Sequence, residues 1–543
     1  MKKKILLSIF IASIFAGCGG SSGSGSSTNG AVVEESNDFS KQSKEIVIDN
    51  SNHIYRIKNA QSSNIELNIK ENKDIFVVVT SRFDNQPISI VNGEVRAYRV
   101  LENNSTSSSS SKESKKEIKN KKRDLISMRK EINNILFSTP STHKRGRYIA
   151  PQPRLIDDVH INDTTNFCID MDKSYNCTHY ISASAKKIVK RVPTEYGEKS
   201  LVIWLESGNN LSQERIDELS NTFLKRGGSN DIYDWVGNVL GEEWGDDAIE
   251  IDNKLIAHND IIDILVYDMK NSSLAGYYWG KDNFRKSLVS ASNEKIMFYL
   301  NSELLKRAPK ETYTTLSHEF QHMIHFYQRS VVKGIEDSPW YDELMSEAIE
   351  DLVSTKIGYM GPRHVDPNDG TAGSPGNRGG RYPTFNRYNT ASLTKWYNTT
   401  KDYSIVSSFG AYLLRNYGGA SVLNRMMYSQ NQDEYAILDA TGERSFSNVI
   451  ANWGSAVVLS DKIGVDKKYQ YNFGDFKYST FKSTVYELGS INFFNYIPQP
   501  QFRSSATLNE NANLYYKIGD NLSGTIRLNI NIPKGADITI IAK

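Results

Sequence analysis

The chain has 543 residues, 38% hydrophobic and 11% aromatic, a composition that supplies a large folded core and excludes a disordered polymer. Its 65 basic and 63 acidic residues leave a formal charge of +2, so no global field steers it onto nucleic acid, and no nucleic-acid partner is expected. Any charged surface has to be local.

At the N-terminus, Met1-Lys2-Lys3-Lys4 is a basic start and Ile5 to Ala16 an apolar run too short to span a bilayer as a mature helix. Phe15-Ala16-Gly17-Cys18 then brings small residues up to a cysteine. This resembles a bacterial lipoprotein signal. The resemblance implies removal of residues 1–17, lipidation of Cys18, and a protein anchored in the bacterial cell envelope through that lipid, or secreted. Residues 18–40 are Gly/Ser-rich and read as a flexible tether. Short alternating runs such as Ile65-Glu66-Leu67-Asn68-Ile69 make residues 41–102 an N-terminal β-domain. Residues 103–147 turn Ser-rich and then Lys-rich, which reads either as a basic helix touching anionic surfaces or as a solvated, partly helical linker open to proteolysis. The solvated linker is the expectation.

The next segment, 148–470, carries the chemistry. Cys168 and Cys177, nine residues apart among turn formers, are predicted to form a disulfide across a hairpin in an oxidising compartment. A helix is predicted near Ser212 to Lys225 and a strand at Ile261 to Tyr267. The carboxylates of Asp246, Asp247, Asp252 and Asp260 flank that strand; their spacing does not match an EF-hand loop, so exposed turns are expected there rather than bound Ca²⁺. Ala275 to Gly280 and Ile296 to Leu300 read as two further strands.

Then comes His318-Glu319-Phe320-Gln321-His322, with apolar residues at Tyr313, Leu316, Phe320, Met323, Ile324 and Tyr327 marking an amphipathic helix between Pro309 and Gly334. Positions i and i+4 project from one helix face, so His318 and His322 can offer two imidazoles to one Zn²⁺ with Glu319 beside them as a general base. His325 lies about 10 Å along the axis from His318, too far to share the ion, and is expected behind the ligands rather than among them. A third ligand is needed. A Gly at 325 and a His at 328 would complete a metzincin pattern, but the chain has His325 and Gln328, and that reading fails. A second helix, opened by Ser338 and Pro339, presents Glu343, Glu347 and Glu350 instead.

Trp340-x-Asp342-Glu343-x-x-Ser346-Glu347 resembles the element of the thermolysin-like gluzincins that follows the zinc helix. The resemblance implies an α+β fold with a β-sheet edge, an active-site helix and a mainly helical half. It makes Glu343 the third zinc ligand and Glu347 the carboxylate that orients a ligating histidine. A rival register, with Glu347 as ligand and Asp351 as its support, stays open. In such peptidases the edge strand beside the zinc helix holds the substrate as an added strand; either 275–280 or 296–300 can be that edge. More narrowly, Leu316 to Ile324, Ser292 to Tyr299, Ser392 to Trp396 and Phe409 to Gly418 are similar to the hyicolysin-like peptidases, family M30, over roughly residues 155–460. Members of that family tend to carry Asn where His325 stands, and Tyr-Gly where this chain has Phe409-Gly410.

These readings imply a zinc metalloendopeptidase acting on proteins or peptides, with Tyr403, Tyr412 and His364 as candidates to stabilise the oxyanion. His364 sits in a Gly/Pro/Asn-rich loop, Gly361 to Arg381, suited to a cover over a cleft or to a plain surface excursion. Two other classes compete: a surface adhesion lipoprotein whose metal is structural, and a zinc hydrolase of a non-peptide polymer. Residues 471–543 read as a C-terminal β-domain, with strands near Thr525 to Ile532 and Ile538 to Ile541.

Overall fold

The computed structural model describes residues 33–35, 43–49, 53–93, 132–137, 154–227, 230–271, 274–358, 380–474 and 477–543. Cys18, His364 and nearly all of the tether, linker and 361–381 loop lie outside them. The described chain is a mixed α/β protein. In order it forms β1 (Val33–Glu35), β2 (Ser43–Ile48), β3 (Ile54–Ala60), β4 (Ser63–Ser81), β5 (Gln86–Asn92) and a short helix α1 (132–137). There follow β6 (Thr164–Met171), β7 (Cys177–Thr194), β8 (Gly197–Glu206), α2 (Gln213–Phe223), α3 (Ile232–Leu240), α4 (Ala248–Ile251), β9 (Ile261–Tyr267), β10 (Gly276–Tyr278) and β11 (Ile296–Asn301). The helical half is α5 (Ser302–Arg307), α6 (Pro309–His325), α7 (Pro339–Ile357), α8 (Arg381–Tyr388), α9 (Thr400–Asn416), α10 (Ala420–Tyr428), α11 (Asp433–Thr441) and α12 (Phe446–Val458). Last come β12 (Lys477–Phe481), β13 (Thr484–Leu488), β14 (Ser505–Leu508), β15 (Asn513–Asn531) and β16 (Ala536–Ala542).

The two expected terminal β-domains are one body. Strands from both chain ends interleave in a single eight-stranded sheet of order β1-β3-β16-β4-β15-β5-β14, with β2 also on β4. The long strand β4 pairs with β15 along nearly its whole length and with β16 at its C-terminal end. Alternation along a strand fixes which side chains enter a core but carries no information about which strand lies alongside, and so two half-sheets read as two domains. The apolar faces of these strands make one core, from Ile46 and Ile65 to Leu528 and Ile540. The opposite face rests on α12: a Cβ on Gly454 would come within 2.8 Å of Val78 and of Asn513, so glycine is what lets the helix approach the sheet.

The second sheet has the order β10-β11-β9-β8-β7-β6, with β8, β9 and β11 parallel and β10 antiparallel at the edge. The edge nearest the motif helix is therefore the 275–280 stretch. Strands β9 and β11 are buried along their whole lengths and β8 from Lys199 to Leu205, which is why they appear in the sequence as mainly apolar runs, interrupted in β9 by Asp263. Cys168 and Cys177 form a disulfide, Cα to Cα 5.8 Å, bridging the hairpin of β6 and β7.

The linker expectation also changes. Its described part, α1, is packed rather than solvated, with Ile132 and Leu136 buried in the main core. The segment 471–543, expected to stand apart, returns along the helical half before reaching the sheet. There Arg415 of α9 donates to the Gly489 carbonyl, and Thr355 of α7 donates to that of Glu487.

Candidate metal centre

Helix α6 starts with Pro309 at its first turn and runs through the motif into a π-helical turn, Phe326–Val331. Helix α7 begins at Ser338, whose hydroxyl donates to Asp433 of α11 rather than capping its own helix. The two helices run in opposite directions across each other, so His318 meets the later part of α7 and His322 the earlier part. Four pairings result. Nε2 of His318 is 3.2 Å and Nε2 of His322 3.7 Å from Glu343 Oε2. On the far side of each ring, His318 Nδ1 donates to Glu350 Oε1 at 2.7 Å and His322 Nδ1 to Asp342 Oδ1 at 2.9 Å.

This orientation suits a metal. With each Nδ1–H committed to a carboxylate, the Nε2 atoms face inward toward Glu343 and are the nitrogens left for a metal that displaces their protons. One ligand atom each from His318, His322 and Glu343 lies within 4.8 Å of the others, and all three residues are buried. Two imidazole nitrogens and a carboxylate oxygen form a donor set typical of hydrolytic zinc. Burial disfavours charge on His318, yet Glu343, Glu350 and Glu319 outweigh it and hold its pKa well above the usual imidazole range. The same concentration of negative charge favours a divalent cation.

Glu319 is 6% exposed, and one of its carboxylate oxygens accepts the main-chain N–H of Tyr278 on edge strand β10 at 2.9 Å. Tyr403 of α9 donates to Glu343 Oε1 at 3.3 Å, with Arg381 stacked on its ring and Trp396 edge-on to it. Gly410 lets α9 come this close: a Cβ there would sit 3.1 Å from Ala348 of α7.

The other expected residues take varied places. Glu347, expected to orient a histidine, is buried one turn past Glu343; both its oxygens are engaged by Arg381, at 2.6 and 2.9 Å, and one of them also lies within 4.8 Å of a His318 ring nitrogen and a Glu350 oxygen, a second group able to hold a metal. Asp351, support of the rival register, pairs with Arg415. The Tyr412 hydroxyl is held against the Lys468 carbonyl and Tyr417 in a buried tyrosine cluster, not at the centre. His325 stands behind His322, its Nε2 3.1 Å from Asp337 and its Nδ1 3.5 Å from Asp342, and Arg329 of the π-turn grips Asp337 in turn. The acidic group near β9 is neutralised from nearby: Asp252 pairs with Lys254, and Asp260 faces Lys199 and His258.

Asp342 and Glu350 were not singled out as histidine partners from sequence. Glu350 is on the recognised polar stripe, but Asp342 joins it only through the antiparallel crossing of the two helices, which sets Glu350 beside His318 and Asp342 beside His322.

A family model described as Peptidase M30 matches residues 182–543. Over 176 residues the chain is 24% identical to the neutral metalloprotease ShpI of Staphylococcus hyicus, a stretch that is 30% of this chain and 36% of that protein. The chain therefore spans little more than a third of that relative's length.

Proposed function

We propose a peptide-bond hydrolase from one premise: the chain belongs to the peptidase M30 family. Within that metallopeptidase family the reading is a zinc-dependent endopeptidase of thermolysin-like gluzincin type. His318, His322 and Glu343 would hold the ion. The observation that carries it is the inward turn of both Nε2 atoms onto one Glu343 oxygen while Glu319 is fixed by the edge strand alongside.

Bound zinc would supply Lewis acidity toward water and the scissile carbonyl. Glu319 accepts the proton of the attacking water and passes it to the leaving amine. The Tyr278 N–H keeps the Glu319 carboxylate oriented for both transfers, and outward main-chain groups of β10 receive the substrate as an added strand. Tyr403 donates its hydroxyl to the oxyanion, turning from Glu343 Oε1. Asp342 and Glu350 keep the histidines in the ligating tautomer, and the chain His325–Asp337–Arg329 braces Asp342 from behind.

The place of action is the cell envelope, through lipidation at Cys18, or the medium. No helix among the described residues is long and apolar enough to cross a membrane. Metal analysis of the purified protein, paired with casein hydrolysis before and after chelation, tests the function. About one zinc per chain and cleavage that chelation abolishes and zinc restores is the expected result. Metal-loaded protein that leaves casein intact overturns the reading and favours adhesion or a non-peptide polymer.

A further inference from the structure

The Tyr403 hydroxyl has a second acceptor besides Glu343. Its oxygen, 3.3 Å from Glu343 Oε1, also lies 3.3 Å from the side-chain oxygen of Asn398. A phenol carries one proton, so it serves one of these acceptors fully at a time. The ring itself is held on two sides, by the Arg381 guanidinium at 5.1 Å and by Trp396 edge-on at 5.0 Å. What is left to turn is the hydroxyl.

Asn398 sits one residue before the N-cap of α9, in the left-handed region at φ 58°. Non-glycine residues seldom take that region, and asparagine is among the few that do so at low cost. One oxygen of the buried Asp402 carboxylate accepts the main-chain N–H groups of Tyr397 and Thr399, at 3.1 and 2.9 Å, so the residue between them is gripped from both sides. Thr399 and Asp402 complete a capping box there. The carboxamide is thus delivered to the Tyr403 hydroxyl by the same turn that starts the helix carrying Tyr403. Its nitrogen has no partner among the described residues, so the group can turn over without breaking another bond.

We propose that Asn398 is a positioning residue that sets which way the Tyr403 hydroxyl points. In the resting site its oxygen accepts the Tyr403 proton. When an oxyanion forms, the carboxamide presents its nitrogen instead and donates to the phenol oxygen, which turns the O–H toward the oxyanion and strengthens it as a donor. This rests on the peptidase reading, which supplies the oxyanion. A carboxamide can take both parts because it carries an acceptor and a donor side by side; a carboxylate of the same shape can only accept.

The test compares the full zinc-loaded chain with Asn398→Gly, which keeps the left-handed backbone and removes the side chain, and with Asn398→Asp, which keeps the shape and the acceptor but not the donor. Each is made alone and together with Tyr403→Phe, and zinc content, kcat and KM on casein are read for all. Zinc content and KM should stay at the parental values. The kcat should fall by about fivefold in Asn398→Gly, the worth of about one neutral hydrogen bond, and by about tenfold or more in Asn398→Asp, whose charged acceptor keeps hold of the phenol proton. With Tyr403→Phe in place, the three versions of position 398 should agree within about twofold, because the group through which they act is gone. An Asn398→Asp chain as fast as the parent overturns the proposal, and so does a gap between parent and Asn398→Gly that persists in the Tyr403→Phe chain. The glycine comparison decides by itself where Asn398→Asp fails to fold. A zinc-loaded parent that leaves casein intact is a different failure: it removes the peptidase reading, and the proposal falls with it.

Discussion

The main-chain N–H of Tyr278 donates to the side chain of Glu319 at 2.9 Å, tying the edge of a sheet to the centre of a helix. Glu319 is thereby placed by backbone, whose position depends on the pairing of Tyr278 with Phe298 rather than on any side-chain rotamer. Glu319→Gln keeps the shape and this hydrogen bond but removes the basic oxygen. Casein hydrolysis should fall by about 10²- to 10⁴-fold with zinc content unchanged. A variant that cleaves at the parental rate removes Glu319 from the mechanism.

Glu343 and Glu347 lie one turn apart and are both buried, yet only Glu343 faces the two imidazole Nε2 atoms. Glu343→Gln should lose most of the bound zinc. Glu347→Gln should keep it and instead weaken the pairing with Arg381, lowering unfolding free energy by about 1–3 kcal/mol, since the Arg381 side chain is partly open to solvent. Metal content by atomic emission and denaturation by urea separate the two. Zinc loss from Glu347→Gln alone would restore the rival register.

Asp342→Asn and Glu350→Gln each replace the acceptor of a histidine Nδ1–H with a neutral amide. Zinc affinity, measured by competition with a chromogenic chelator, should drop by about 10- to 100-fold in each. An unchanged affinity in both means the tautomers are held by something else.

Tyr403 and Tyr412 are on the same helix with opposite surroundings: the Tyr403 hydroxyl reaches Glu343, and that of Tyr412 reaches the Lys468 carbonyl. Tyr403→Phe should reduce kcat by about 10²-fold with little change in KM, as for loss of an oxyanion donor. Tyr412→Phe should leave kcat alone and cost about 1–2 kcal/mol of stability for the stranded carbonyl. Steady-state kinetics and thermal melts distinguish these outcomes.

Asp263, in the middle of β9, supplies a pH test. Burial pushes its carboxyl up, but the Arg154 guanidinium at 2.6 Å, with Lys295 and the Trp204 N–H, brings it below the ordinary range. Its folded pKa thus lies under the unfolded value, so its contribution to stability is complete above about pH 4 and is lost as pH falls through the folded pKa. The stability gap between the parent and Asp263→Asn should be widest at neutral pH and close under acid. A gap that stays constant from pH 7 to pH 3 in urea titrations contradicts this.

What the sequence revealed follows the range of each signal. Periodicity over a dozen residues located α6, with its histidines on one face, and the Ser338-Pro339 start of α7, and nine-residue spacing located the disulfide. Pairings across distant segments had no such signal. Arg381 against Glu347, Lys254 against α1, and β4 between β15 and β16 depend on packing, and none leaves a local trace. Composition was misleading for α1, because two buried apolar residues carry little weight in a Ser/Lys-rich stretch.

The interleaved sheet places a timing constraint on the newborn chain. Thr80 and Asn513 share a hydrogen bond at 2.6 Å but are 433 positions apart, so at roughly 5–20 residues per second β4 waits about 20 to 90 seconds for β15 and β16 to be synthesised. During that interval the edge that β15 takes and the stretch of the other edge that β16 takes are open, with only β2 in place along residues 64–69, and such unpaired edges invite aggregation until the last strand arrives. A ribosome that stops short of residue 513 yields a product in which the helical half is complete while β4 lacks both β15 and β16.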